Sequence, residues 1–589
     1  MKGHKKGKLG KKGKILLAAA GVVLAAVVIF IIYKMVVKQQ MDEETAPRES
    51  WVTETGELLE TNQSQRVRIY QAPGESDLTV YQMQPQEVEN DGFTYYNMKV
   101  QQRLDSALGA LKAKAEYTAE KPLAVWNPYG TGTNGLYLYF EAPQEGLSVH
   151  YRIHTEDEEI PDFEADAQTG DGTEKEFLVI GLVPGMVNDL EIALRAEDGT
   201  AVQTVSFRVE APETASGYDV VLERTEGESG QDLTDGLYYT LGIQGYYGHM
   251  FFFDNDGVLR YEMLLDGYKP DRVLFDDGDM VCCVSASQIG KISPLGKVTR
   301  LYTMNGYVMH HDFCYGEDGT LLVLATKKNA MDDSVMDRVL EIDMESGAVK
   351  EIVDLRKILP DYYKKTEKVT ETDPFFWQAG TRDWIHVNTI DYTDDDSIVL
   401  SARETSTVVK IENLHGKPSL GYLIGDSAYW EGTSYESFCY EKAGDFADQY
   451  GQHTVTVVEP DGMAEGTYYL MMYDNNYYAN STRTDDYEPE LPDSVSTDLM
   501  GDEKPSHVYW YLVDENRKTY ELIDSFDVPY SSIVSSVQIA GDNYVVNSGV
   551  SNVFGEYDRD GGLIRQFGYE CTMQGYRVMK DTFRGYWFS

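Results

Sequence analysis

The feature that most limits what this chain can fold into is a two-part pattern that returns six times between residues 217 and 589. A turn of the Asp-Gly kind feeds an apolar run, and a second apolar run later ends in a polar turn containing Gly or Asn. The first part recurs as Asp235-Gly236, Asp277-Gly278, Asp318-Gly319, Asp395-Asp396, Glu465-Gly466 and Gly541-Asp542. The second recurs as FFFDNDGVLRYE from Phe251, IGKISPLGKVTRLY from Ile289, VLEIDMESGAVKEI from Val339, VVKIENLHGKPSLG from Val408, YWYLVDENRKTYEL from Tyr509 and FGEYDRDGGLIRQF from Phe554. A strand-turn-strand unit of this size cannot bury both faces alone, so six copies predict a six-bladed β-propeller over residues 216–589. Later copies are more widely spaced and carry insertions. One of these, 357–384, holds Phe375, Phe376, Trp377 and Trp384. Long aromatic insertions are expected to roof one mouth of the central channel, where ligands bind.

Upstream, the pattern shortens. From Pro122 to Glu213 come alternating strands such as Leu136 to Phe140, Ser148 to Ile153, Phe177 to Ile180 and Val202 to Val209, the pattern of a small immunoglobulin-like sandwich. Residues 98–118 place Val100, Leu104, Leu108 and Leu111 at helical spacing. Helix and sandwich together define a unit over 61–215. The chain therefore reads as all-β, apart from its first sixty residues and the helix at 98–118.

Those open with a lysine-rich tail, 1–14, followed by an uncharged apolar run from Ile15 to Tyr33, long enough to cross a bilayer as a helix. The run passes into Lys34 and Lys38 without a small-residue cleavage site, which predicts an uncleaved signal anchor at 15–37 and a stalk at 38–60. Lysines before the helix stay in the cytoplasm, which predicts a single-pass protein of the cell membrane with its folded part outside.

Taking away the nine lysines of residues 1–40 leaves 42 basic against 98 acidic side chains, a charge near −56 on the remainder. Such a surface repels nucleic acid, and an anionic substrate would need a locally positive pocket. The five cysteines, Cys282, Cys283, Cys314, Cys439 and Cys571, have neither metal spacing nor a disulfide framework. No nucleotide-binding motif is present.

Seven of the ten histidines lie in the repeat half, and three occupy one place in the repeat. His311 sits eight residues before Gly319, His386 ten before Asp396, and His453 thirteen before Gly466. All three fall on the strand before the turn, the innermost of a propeller blade, so they are expected to converge around the axis. Strand alternation places Asn388 and Trp384 on the side of His386, and Arg403 follows the next strand. It also sets His310 and His311 on opposite faces, leaving open which one faces the channel. A cluster of imidazoles, an amide and a guanidinium fits three classes of function: an enzyme acting on an anion, a metal-dependent hydrolase or lyase built on the histidines, or a surface adhesion or carbohydrate-binding propeller.

HHD at 310–312, DWIHVNTIDY at 383–392 with SAR ending at Arg403, and QHT at 452–454 give the chain a sequence that resembles the bacterial arylsulfate sulfotransferases. The resemblance covers most of the chain beyond the anchor and implies an immunoglobulin-like domain followed by a six-bladed propeller. It implies nucleotide-independent transfer of a sulfuryl group from a phenolic sulfate ester to a phenol, with ping-pong kinetics and no cofactor or metal. His453 would be the transiently sulfated nucleophile, with His386, Asn388, Arg403 and His311 holding the sulfuryl group and one histidine serving as acid and base. His310 and Trp384 complete the candidate site, and a homodimer is compatible with this reading. The anchor and the lack of an assignable disulfide depart from the better known periplasmic members.

Overall fold

The computed structural model describes residues 58–62, 66–86, 94–393, 395–484, 487, 489–501 and 503–589. The basic tail, the anchor at 15–37 and most of the 38–60 stalk lie outside the described residues. No helix among the described residues is long and apolar enough to cross a membrane.

The amphipathic segment forms the helix Met98–Lys112, shorter than its predicted span to residue 118. Asn97 caps it by accepting the Lys99 N–H, and Val100, Leu104, Leu108 and Leu111 are its buried stripe. The next residues build two sheets. Leu123–Trp126, Leu136–Glu141 and Glu174–Val179 lie in a six-stranded sheet, while Ser148–Thr155, Phe163–Ala167, Val187–Arg195 and Ala201–Glu210 make a four-stranded one. Alternate residues of Ser148–Thr155 turn inward, and Val149, Tyr151 and Ile153 share one core with Leu138, Phe140 and Phe177. This is the sandwich arrangement that the alternation predicts.

Each of the six repeat copies falls in its own sheet, antiparallel but for the short edge strand Glu441–Lys442, which pairs parallel with Thr519–Val528. The first strands of five of them, in chain order, are Val273–Asp276, Tyr307–Tyr315, Val387–Thr393, His453–Val458 and Ser536–Ala540. The remaining sheet, formed by Leu237–Ile243, His249–Phe253 and Leu259–Leu264, takes its first strand from the far end of the chain, where Gly575–Asp581 pairs antiparallel with Leu237–Ile243. Glu223–Glu226 in turn joins the last sheet through Leu563–Gly568. Both ends of the repeat region are thus sewn into neighbouring sheets, a closure for which the repeat pattern carries no signal. At the turns, Asp277 (φ 49°) and Gly278 (φ 78°), like Asp318 (φ 51°) and Gly319 (φ 75°), take the paired left-handed conformations of a tight hairpin.

Polar contacts run from each first strand to the next and close into a ring. Arg577 donates to the Asp271 carbonyl (3.3 Å) and to Asp312 Oδ1 (2.9 Å). Arg272 Nε reaches the same Asp312 oxygen at 2.9 Å, and the Ile390 N–H donates to Asp312 Oδ2 at 3.3 Å. The Val457 N–H donates to Asp391 (2.9 Å), Thr454 to the Ser535 carbonyl (3.0 Å), and Ser536 to the Val578 carbonyl (3.1 Å). Asp312, Arg577 and Ser536 are fully buried, so these bonds sit where no water replaces them.

Removing the carboxylate would leave two guanidiniums in a dry interior without their counter-charge. Asp312→Ala is therefore expected to lower the unfolding free energy by about 3–5 kcal/mol, checked by denaturant titration; a loss below about 1 kcal/mol would contradict a keystone role for this carboxylate.

Candidate active site

The inner strands are not regular. Register breaks occur between Met309 and Phe313, between Val387 and Thr389, and between His453 and Thr456. At these breaks His311 (φ 60°), His386 (φ 47°) and Thr454 (φ 51°) adopt left-handed backbone, as do Val534 (φ 56°) and Ser535 (φ 89°) just before the sixth inner strand. Side-chain residues held there cost roughly 1–3 kcal/mol each and cluster at functional sites. Equivalent bulges on successive strands re-aim side chains that simple alternation would send to opposite faces.

The result is a knot of imidazoles. The rings of His310 and His311 lie 5.1 Å apart with their Nδ1 atoms at 2.9 Å, and the His311 and His386 rings are 4.9 Å apart. The alternation argument that only one of His310 and His311 can reach the cluster is thereby corrected, because the bulge brings both in. His311 also stacks edge-on against Tyr576, whose hydroxyl donates to the His311 carbonyl at 2.8 Å. His453 is 2% and His386 3% exposed, and burial holds both imidazoles neutral, below the ordinary histidine range. His386 and Arg403 act on His453 in the same direction. His310 is pushed down to about 3, and His311 also well below its usual value, both chiefly by burial.

Partners fix how these rings present themselves. His453 Nδ1 lies 2.8 Å from Asn475 Oδ1 and 3.0 Å from the Gly451 carbonyl. His386 Nδ1 lies 2.5 Å from Asp383 Oδ2, and the same oxygen accepts from Arg403 at 3.2 Å. The Arg403 guanidinium stacks on Phe375 at 4.0 Å, while its Nε–H has no acceptor among the described residues. Next to Arg403, burial lifts the Glu404 carboxyl to about 8. Asn388 is fully buried and donates to the Gln452 carbonyl at 2.9 Å, beside His453.

Of the residues singled out from sequence, His310, His311, His386, His453, Arg403 and Asn388 come together. Trp384 does not. Its indole N–H donates to Asp337 at 2.9 Å, and the ring packs with Tyr362 and Tyr363 in an apolar core. The break at His386 rotates the chain, so the two-residue period fails between positions 384 and 386. From the aromatic insertion it is Phe375, not Trp384, that lies against the site, packed with Tyr477, Ile533, Val534 and Tyr576. Sequence reasoning missed Asp383, Asn475 and Lys269. Asp383 opens the DWIHVN motif and could have been found there. Asn475, at the end of the strand paired with His453–Val458, and Lys269, ahead of the strand Val273–Asp276, carry no local signal. Lys269 pairs with Asp271 at 2.8 Å, lies 4.0 Å over the Tyr576 ring, and lowers the proton affinity of His310, His311 and His386.

Around the inner strands of this closed ring of sheets, buried imidazoles gather beside the Arg403 guanidinium, a place fit to receive an anion. Residues 223–579 match the family model described as arylsulfotransferase (ASST), and residues 123–212 match that of the arylsulfotransferase Ig-like domain. The chain belongs to the arylsulfotransferase family and is a sulfotransferase. No curated protein matches it in sequence. Among solved structures it is similar to a putative 6-phosphogluconolactonase from Bacteroides uniformis ATCC 8492, with 12% identity over 74% of this chain and 99% of that one (TM-score 0.33). It is also similar to a streptogramin B lyase, with 11% identity over 61% and 98% (TM-score 0.30), and to apo AztD from Citrobacter koseri, with 12% identity over 74% and 99% (TM-score 0.27). Likeness at that level says nothing about activity.

If Trp384 is a core residue, Trp384→Phe is expected to cost about 1–3 kcal/mol of stability through the donor lost to Asp337 and to leave KM for the sulfate donor unchanged. Thermal melts and initial rates on the same sample check both, and a raised KM without a loss of stability would return Trp384 to the site.

Proposed function

We propose that this chain transfers a sulfuryl group from a phenolic sulfate ester to a phenol in two displacements through a sulfated His453, at the hub of a six-bladed propeller. The observation that carries the reading is the setting of His453: buried, with Nδ1 facing two acceptors, an arrangement that favours the neutral ring with Nε2 bare. In the first step Nε2 attacks sulfur, the sulfur–oxygen bond to the aryl group breaks, and its electron pair leaves with the phenolate. In the second, an acceptor phenol attacks sulfur and returns the imidazole to its resting form.

Phenol has a pKa of about 10, so the leaving group is tolerable and needs only modest acid assistance. His386 is placed for that. With Nδ1 on Asp383, a neutral His386 presents a bare Nε2 that takes the proton of the acceptor phenol in the second displacement and, as an imidazolium supported by Asp383, gives it to the departing phenolate oxygen of the next donor. His311, 4.9 Å away ring to ring, is the alternative acid and base. Sulfuryl transfer resembles phosphoryl transfer in having a loose transition state, so fixed donors matter more than a strong base. Arg403, with its spare Nε–H, fits the role of holding sulfuryl oxygens; the Asn388 amide already serves the Gln452 carbonyl and supports the His453 strand as well. The apolar rings of Phe375 and Tyr576 border the same place and suit an aryl group. The lysine-flanked run at 15–37 fits an uncleaved anchor that holds the enzyme outside the cell.

The full-length chain with 4-nitrophenyl sulfate and phenol is expected to release nitrophenol in an acceptor-dependent, ping-pong manner that survives EDTA and disappears in His453→Ala. Because burial lowers the proton affinity of His453, the acid limb of kcat/KM for the donor should lie below the ordinary imidazole value of about 6.5. No release with several phenols would favour a binding propeller, and loss with EDTA alone a metal enzyme.

A further inference from the structure

The bare Nε2 of His453 has to be produced by something, and the partners of Asn475 identify what. A side-chain amide can face an imidazole with either end, and only its oxygen would keep the proton on Nδ1. Asn475 follows the strand Thr467–Asp474 and is fully buried. Its Nδ2 donates to the Ser531 carbonyl at 2.7 Å and to the Val534 carbonyl at 3.0 Å. Neither carbonyl can donate, so the amide cannot be turned round, and Oδ1 is the atom presented to His453.

The two carbonyls are themselves held. They belong to a turn, Tyr530-Ser531-Ser532-Ile533-Val534-Ser535-Ser536, whose four serines are fully buried. Val534 and Ser535 carry left-handed backbone (φ 56° and 89°), a conformation that a β-branched residue adopts only when its surroundings force it. Side chains lock the turn: Ser531 Oγ donates to the Ile533 carbonyl (2.8 Å), Ser535 Oγ donates to Ser531 Oγ (2.8 Å), and the backbone N–H groups of Gly549 and Val550 donate to Ser535 Oγ and Ser531 Oγ (both 3.0 Å). Ser506 Oγ donates to the Asn475 carbonyl at 3.1 Å and ties that residue to the same network.

We infer that Asn475, oriented by the strained serine turn 531–536, is a positioning residue that fixes the Nδ1–H tautomer of His453 and thereby makes Nε2 the nucleophile. This rests on His453 being the nucleophile, as proposed above. The Gly451 carbonyl gives a second acceptor at 3.0 Å, but it belongs to the same short segment as His453 and moves with it, whereas Asn475 stands at the end of the neighbouring strand and anchors the ring to the turn that leads into the next sheet. His311, His386, Arg403 and Arg577 act on His453 electrostatically, but none of them bonds to Nδ1.

Two measurements on the full-length chain test this. Selective 15N-histidine labelling gives ten ring signal sets, and the set lost in His453→Ala belongs to His453. Wild type is expected to show protonated Nδ1 and bare Nε2, and the opposite tautomer would overturn the inference even if sulfuryl transfer proceeds. Asn475→Ala is expected to lower kcat about 10–100-fold with little change in KM for the donor, in line with the loss of other ring-orienting partners. Asn475→Asp keeps an acceptor toward Nδ1 but loses both N–H bonds to the turn, so it should recover only part of the kcat lost in Asn475→Ala, while its carboxylate favours the imidazolium and moves the acid limb to higher pH. Wild-type kcat and pH profile in both variants would overturn the inference. Should neither variant fold, the wild-type tautomer alone decides. A wild type with the expected tautomer but no transfer activity would sink the proposed function and leave the positioning role standing.

Discussion

A sheet of four or five strands with apolar residues on both faces has nowhere to go but against another such sheet, and six of them are satisfied together only when the last meets the first. That closure is the constraint on which everything else in the repeat half depends. It is made in two ways: by exchange of strands, with Gly575–Asp581 entering the sheet of Leu237–Ile243 and Glu223–Glu226 entering the last sheet, and by polar bonds between inner strands. Asp312 is where these converge, engaging Arg272, Arg577 and the backbone of Ile390 at once. A lone buried charge would be prohibitive, whereas a carboxylate shared by two guanidiniums and an amide is satisfied.

Closure also explains why the site can be so dry. Inner strands from different sheets crowd onto one axis, and the side chains there are shielded from solvent by the ring itself. Burial then does chemical work. It lowers the proton affinity of His453, His386, His310 and His311, which favours their neutral form, and it strengthens every fixed donor around them. Backbone bulges at His311, His386 and Thr454 supply the aim. The stability of the closed ring offsets their conformational cost.

Much of this was legible in the sequence. Six turn-strand pairs define six sheets because each Asp-Gly turn and each polar hairpin leaves a local composition signal, and helical spacing at Val100, Leu104, Leu108 and Leu111 marks the helix for the same reason. The histidines were legible because they repeat: three at one position of the unit must meet if the units close. What failed was every inference that treated the inner strands as regular. Alternation placed Trp384 beside His386 and separated His310 from His311, and both statements fall at the left-handed residues, which no composition rule marks in a histidine. Partners distant in the chain were invisible for a different reason. Asn475 reaches His453 from the end of the neighbouring strand of its own sheet, Lys269 meets the cluster only through closure, and the strand that completes the first sheet lies at the other end of the chain.

The central claim is covalent, so the most direct measurement is to look for the bond. The full-length chain is mixed with 4-nitrophenyl sulfate without any acceptor, quenched at alkaline pH, digested, and analysed by mass spectrometry. The account predicts a burst of nitrophenol matching the enzyme present and the mass of one SO3 added on the peptide carrying His453, both removed by subsequent phenol. Turnover with no adduct, or with the SO3 on a residue other than His453, would contradict it.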